Sequence, residues 1–271
     1  MTIRVTSIAS GSSGNALLIQ DGDAALLIDC GLPQRVIERE LRHAGLHPTN
    51  VSAILLTHEH GDHTMSAGPL ARRYGIPLVA NRPTAAALGA ALAGVDVHEL
   101  ATGDMLAIGR FAIQGFPVSH DAAEPIGYTI RADDCCVGVA IDLGSWDDAV
   151  LAGLMPADLV VVEANHDRER LRAAPYSWPT KQRIFGPRGH LDNIEAGALL
   201  ARLCAAGARR TLWLAHLSEQ TNSPKIAVDV VSGVLALADV RYLGIRALPR
   251  RAPLSWESDR HLEQLELFSG F

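Results

Sequence analysis

Three histidines and two acids stand within six residues in His58-Glu59-His60-Gly61-Asp62-His63, directly after the apolar run 52–57 (SAILLT). Neutral imidazoles and carboxylates are the ligand types that suit zinc, manganese or iron. In an extended strand, residues i and i+2 point the same way, so His58 and His60 are expected to grip one ion together. Asp62 and His63 follow where the chain turns into a helix and can reach a second ion, with Gly61 allowing the turn. The alternative is a polar loop with accidental histidines, and a cluster this dense at the end of a buried strand argues against it. Two neighbouring ions lower the pKa of a bridging water and stabilise charge on the attacked and leaving oxygens, which is the chemistry of a hydrolase. Asp62 is placed to orient that water or shuttle its proton.

Positioning such a cluster takes buried strands, and the chain has them. Runs 3–8, 16–20 and 24–29 read as strands separated by the Gly/Ser turn 10–15 and by Asp21-Gly22-Asp23. Pro33 opens a helix that ends at Gly45. After the histidine cluster come a helix over 64–73, a strand over 77–80, a helix over 83–92 and a strand over 95–100. Strands are expected over 111–118, 127–132 and 135–142. Strand 158–164, helices through 166–185, helix 192–206, strand 211–216, helix 224–238 and strand 240–246 complete the pattern. Strand-rich halves edged by helices predict two sheets face to face with helices outside. Residues 1–248 read as one domain, and 249–271 as a polar tail without an assigned element.

Hydrophobic residues make up 48% of the 271 and charged residues 20%, enough to bury a large core. The opening residues lack the apolar run of an export signal, and no stretch nears the roughly 20 apolar residues of a membrane span. Cys30, Cys135, Cys136 and Cys204 show no C-x-x-C spacing, so they are expected as reduced, packed thiols of a cytoplasmic protein. A net charge of −6 argues against bulk nucleic-acid binding. The charge is uneven, however: 166–190 holds six basic and two acidic side chains, a local +4 against −10 elsewhere. Such a patch suits the docking of an anionic substrate, the alternative being a solvated helix face.

His58-x-His60-x-Asp62-His63 resembles the H-x-H-x-D-H signature of the metallo-β-lactamase superfamily, and the strand pattern resembles its α/β four-layer αββα sandwich. That resemblance implies two mixed sheets with helices on the outer faces, and further ligands. His120 in PVSHDA, Asp142 in VGVAID and His216 in LWLAH match them. One ion would be held by His58, His60 and His120, the other by Asp62, His63 and His216, with Asp142 bridging them. The implied cofactors are two divalent ions per chain, zinc or manganese, with iron also admitted. Asp29, closing strand 25–29, resembles the acid that orients the histidine loop.

The superfamily cleaves lactams, thioesters, lactones and phosphodiesters, so the substrate must be read elsewhere. In GPRGHLDN (186–193), His190 and Asn193 lie at a helix start, where unpaired N–H groups attract phosphate oxygens. His190 is expected to bind a scissile phosphate or protonate the leaving group, against the alternative of a capping loop. Ser12, Ser13 and Asn15 either line the site mouth or form a tight turn. The ordered motifs SIASGSSGN, SHDA, EANHD, SWPTKQRI, GHLDN and AHLSEQTN resemble the YycJ (WalJ) branch, related to RNase Z and the RNase J group. That implies a 5′-to-3′ exonuclease on double-stranded DNA, with DNA favoured over RNA and with Glu163 and His166 supporting the site. The clamping domain of RNase J and the arm of RNase Z are both missing, and Asp192 stands where the branch shows serine. A thioester or lactone hydrolase remains the alternative, since it needs the same centre without the basic run or the GHLDN loop.

Overall fold

The computed structural model describes residues 2–205, 210–240 and 244–259. One seven-stranded sheet contains β1 (Ile3–Ala9), β2 (Ala16–Asp21), β3 (Ala24–Ile28), β4 (Val51–Leu55), β5 (Leu78–Ala80) and β6 (Val97–Glu99) in chain order. The other contains β7 (Met105–Ile108), β8 (Phe111–Pro117), β9 (Ile126–Ala132), β10 (Cys135–Ala140), β11 (Leu159–Glu163), β12 (Thr211–Ala215) and β13 (Ile245–Ala247). β14 (Leu254–Glu257) pairs antiparallel with β1 and completes the first sheet. The helices are α1 (Gln34–His43), α2 (Gly61–Thr64), α3 (Ala67–Tyr74), α4 (Arg82–Leu88), α5 (Asp148–Leu154), α6 (Arg168–Ala173), α7 (Trp178–Phe185), α8 (Asn193–Cys204) and α9 (Pro224–Leu237).

Alternation within the strands builds four layers. Val137 and Val139 of β10 and Leu159 and Val161 of β11 face the core between the sheets, with Phe111, Tyr128 and Trp213. Val160 and Val162 point the other way, into a second core with Leu154 of α5, Leu199 of α8 and Val231 of α9. Ile54 and Leu78 of the first sheet pack outward against Ile37 and Leu41 of α1 and Leu70 of α3. Both faces of each central strand are thus buried, which is why β10 and β11 read as unbroken apolar runs. The expected αββα sandwich is the observed fold.

Each sheet begins with antiparallel hairpins and ends with parallel strands: β3 to β6 are parallel, as are β10 to β13. β8 and β10 both run antiparallel to β9, so they share a direction. The carboxyl ends of β3, β4, β8, β10, β11 and β12 supply Asp29, the histidine cluster, His120, Asp142, Glu163 and His216 respectively. Ligand sites of open α/β sheets form at such ends.

Several boundaries differ from expectation. β4 stops at Leu55, so His58 and His60 lie on a loop rather than an extended strand; their rings still converge, 4.6 Å apart. The helix expected over 64–73 is broken into α2 and α3, and β6 is shorter than 95–100. β7 and α5 were not anticipated. For α5 the signal was present, since Asp147 caps Ala149 and Val150 ahead of buried Val150, Leu151 and Leu154. Part of the polar tail also has structure: Leu254 and Trp256 pack against the inter-sheet core, and Trp256 Nε1 donates to Thr211 Oγ1 at 2.9 Å. Of the strand expected over 240–246, the described residues show β13 from Ile245; positions 206, 241–243 and 260–271 of the expected elements lie outside the described residues. All four cysteines are free and buried, and among the described residues no helix is long and apolar enough to cross a membrane.

The glycine that the histidine loop requires is Gly31 rather than Gly61. Gly61 has an ordinary φ and open space, whereas a Cβ on Gly31 would overlap the Asp62 backbone carbonyl. Gly31→Ala is therefore expected to lower unfolding stability by about 3 kcal/mol through overpacking. Gly61→Ala should change it by no more than about 1 kcal/mol. Urea unfolding of the two variants checks this, and equal effects would contradict the close approach.

Candidate metal centre

Three residues at the site take the left-handed backbone conformation that non-glycine residues seldom adopt: Asp29 (φ 60°), Asp142 (φ 56°) and His216 (φ 53°). Each immediately follows a strand or its last extended residues, and each turns a polar side chain inward at a cost of about 1 kcal/mol or more. The surrounding hydrogen bonds hold them there. Ser10 Oγ accepts from His216 N at 2.8 Å, and Asp29 Oδ1 accepts from Thr57 N at 2.9 Å.

Five histidines of the site share one orientation. His58 Nδ1 meets Thr57 Oγ1 at 3.0 Å, His63 Nδ1 meets Asp29 Oδ2 at 2.7 Å and His120 Nδ1 meets the Gly189 carbonyl at 2.9 Å. His216 Nδ1 and His190 Nδ1 both meet Glu163 Oε1, at 2.8 Å and 2.9 Å. With Nδ1 tied to the protein in this way, Nε2 faces the centre, where that of His63 also has Asn15 Nδ2 beside it at 3.0 Å. His58 Nε2 and His63 Nε2 stand 3.2 Å and 2.9 Å from Asp142 Oδ2, and His120 Nε2 stands 3.8 Å from it. His216 Nε2 lies 3.7 Å from Asp62 Oδ2. Fixing one imidazole nitrogen with a protein oxygen so that the other can ligate is the usual support for metal-binding histidines.

The donors fall into groups that could each hold an ion, with ligand atoms within 4.8 Å of one another: His58, His60, His120 and Asp142, and then Asp62, His63, Asp142 and His216. A third grouping adds Glu163 and His190 to Asp142 and His216. Glu163 is better described as a holder, because Oε1 serves two histidines and Oε2 accepts from Leu143 N at 2.7 Å and Leu191 N at 3.2 Å. The fit to cations is visible in what the protein leaves unpaired: among the described residues His58 Nε2 and His216 Nε2 are buried without a hydrogen-bond partner, and Asp142 Oδ1 has His216 Nδ1 beside it at 2.7 Å.

Electrostatics agree. Burial lowers the pKa of His58 and of His120, keeping both imidazoles neutral as ligation requires. Burial also opposes charge on His63, but Asp29 and Asp142 outweigh it and raise its pKa to about 10. His216 is raised likewise, burial being overcome by Asp142 first. Burial works against Asp142 as a carboxylate, yet His216 and His63 hold its pKa well below the usual range. The protons on His63 and His216 balance buried carboxylates, and a divalent ion can take their place.

Residues 25–216 match the family model described as the beta-lactamase superfamily domain. Over 238 residues the chain is 34% identical to the exodeoxyribonuclease YycJ of Bacillus anthracis, covering 87% of this chain and 90% of that protein. The chain belongs to the metallo-β-lactamase superfamily, in its YycJ/WalJ branch. It is 36% identical over 238 residues to the exodeoxyribonuclease WalJ of Streptococcus pneumoniae serotype 2, covering 86% of this chain and 88% of that one. The metallo-β-lactamase fold protein YhfI of Bacillus subtilis superposes with a TM-score of 0.71 at 20% identity, over 95% of this chain and all of that one, a likeness of fold. As a member of this superfamily the protein is a metal-dependent hydrolase that takes divalent ions.

Not every residue expected at this superfamily site faces it. Asn193 is buried, its amide paired with Asn222 at 2.9 Å and 3.2 Å, so it cannot contact a phosphate. The N–H groups at the start of α8 are also used: Asp192 Oδ1 accepts from Ile194 N and Glu195 N, and Asn193 N donates to the His166 carbonyl. The phosphate site expected at this helix start is therefore closed by its own cap. Asn15 is buried too; its Oδ1 accepts from Gly11 N, and its Nδ2 lies 3.0 Å from His63 Nε2. It braces the histidine loop rather than lining the mouth, while Ser12 and Ser13 are exposed in the tight turn closed by Gly14 N and Gly11 O. The extra acid Asp192 is compensated by Arg168 Nε at 2.6 Å.

Sequence reasoning missed Thr57, Gly189, Ser10 and Glu59. Thr57 links Asp29 to His58, and Glu59 Oε1 accepts from Ala123 N at 2.8 Å, fastening the loop that carries His120. Only Thr57, beside the signature, and Glu59, within it, offered a positional clue.

Because His63 and His216 have raised pKa values, they are protonated at pH 7 without metal, and ligation by neutral imidazole must expel protons. Metal affinity is expected to fall as pH falls, with at least about one proton released per chain loaded at pH 7. Calorimetry in buffers of different ionisation enthalpy measures that release, and metal uptake without it would contradict the charge exchange.

Proposed function

We propose that the protein is a two-metal phosphodiesterase that cleaves nucleic acid, acting as an exonuclease on double-stranded DNA with 5′-to-3′ polarity. In this reading His58, His60 and His120 hold one ion, Asp62, His63 and His216 hold the other, and Asp142 lies between them. Zinc and manganese suit these nitrogen and oxygen donors, and iron is compatible. Bound together, such ions lower the pKa of water and neutralise charge developing on phosphoryl oxygens. The cytoplasm is the compartment in which reduced thiols and a DNA substrate are both available.

The observation that carries the reading is His190. It sits at the rim of the centre, 17% exposed at its side chain, with its ring 5.0 Å from His120 and 5.3 Å from His216. Glu163 anchors Nδ1, and among the described residues Nε2 has no partner. Burial opposes charge on the ring, but Glu163 outweighs it and raises its pKa. An imidazolium held in this way can hydrogen-bond a phosphoryl oxygen and give its proton to the leaving oxygen. Asp62, with 28% of its side chain exposed, is the acid of the centre open to solvent, suited to orienting the attacking water.

DNA is favoured by the named activity of the relatives that match nearly the whole chain. The basic run contributes less than its composition promised. Arg168 is paired with Asp192 and Glu195, and Arg183 with Asp121, so three acids from outside the run offset much of the local charge.

Metal-loaded protein incubated with duplex DNA labelled at either end, beside an S-acyl glutathione, tests the reading. DNA shortening from one end is expected; thioester cleavage without it would overturn the proposal. His190→Ala should retain its metal while DNA cleavage falls about 100-fold or more, the usual range for losing a general acid.

A further inference from the structure

Beyond His190 lies a cavity of about 380 Å³ lined by Trp146, Phe185, His166, Arg168, Asp192 and Glu195, within the size range of small-molecule sites. His166 is the unusual member. It is 1% exposed, yet among the described residues neither ring nitrogen has a hydrogen-bond partner. Its backbone is fixed, the carbonyl accepting from Asn193 N at 3.0 Å, and its ring packs edge-on against Phe185 at 5.4 Å. Buried polar atoms are nearly always paired, so two orphaned nitrogens on one anchored ring point to a ligand. Phe185 is 38% exposed and belongs to α7, a helix that buries none of its side chains, so core packing does not account for it.

We propose that this cavity receives the base of the nucleotide whose phosphate lies against His190, an inference that rests on the phosphodiesterase reading. Aromatic side chains such as Trp146 and Phe185 stack on any base, which suits an enzyme that must accept every sequence. A neutral imidazole offers one donor and one acceptor, matching the polar edge of a base. Charge argues against a phosphate here. Arg168 is committed to Asp192 at 2.6 Å and to Glu195 at 3.2 Å, leaving two carboxylates on the wall and no unpaired cation among the lining residues named.

Titrating metal-loaded protein with deoxyadenosine 5′-monophosphate and with deoxyribose 5-phosphate, followed by calorimetry, tests the pocket. The nucleotide should bind at least about ten-fold more tightly, the contribution of one stacked base. Trp146→Ala and His166→Ala should each bring the nucleotide close to the affinity of the sugar phosphate and leave the latter unchanged. Trp146 is only half-buried, so its variant keeps the test open if His166→Ala does not fold. Equal affinities in the unaltered protein, or equal weakening of both ligands by the variants, would overturn the proposal. Binding is read without turnover, so an uncleaved duplex would count against the phosphodiesterase reading, and an absent base preference against the pocket.

Discussion

Asp29, Asp142 and Glu163 are buried carboxylates with exposures of 1%, 2% and 0%, and among the described residues no lysine or arginine pairs with any of them. Burying such charge without compensation is prohibitively costly, so positive charge must be supplied locally. Histidine protons can supply it, and so can divalent ions. Glu163 shows how tightly the arrangement is wired: burial raises its pKa, but His190 and His216 pull it down to about 2, while Leu143 and Leu191 donate to its second oxygen. One carboxylate thereby sets the ring of a proposed ligand and the ring of the proposed phosphate contact.

That wiring depends on the sandwich. The two sheets present the carboxyl ends of their parallel strands at one edge, so groups far apart in sequence arrive within hydrogen-bond reach. The left-handed turns at Asp29, Asp142 and His216 are the local cost, and the apolar cores on both faces of β10, β11 and β12 make the turns affordable. Gly31 has the complementary task, letting the backbone of the histidine loop approach the turn after β3.

The architecture was readable because both faces of the central strands are buried, which prints as apolar runs such as 135–142 and 158–164. The metal cluster was readable because its donors are contiguous; His120, Asp142 and His216 became so only through resemblance to a family. What escaped reading was set by tertiary contacts. Whether Asn193 points to solvent depends on Asn222, 29 residues away, and whether α8 has a free N-terminus depends on which way Asp192 turns. Likewise β14 reads as polar tail until the edge of β1 and the core beneath Trp256 are in place. The charge of 166–190 misled for the same reason, because Asp121 lies 62 residues from Arg183 in sequence and pairs with it in space.

The proposed function turns on Asp142, which would serve two ions at the meeting point of the sheets. Metal content by mass spectrometry after gel filtration, in the unaltered protein and in Asp142→Asn, tests it most directly. Asparagine tolerates the left-handed backbone at this position, so the fold should persist. The account predicts about two ions per chain in the unaltered protein and loss of at least one in the variant. Full retention of both ions by Asp142→Asn, with unchanged affinity, would contradict it.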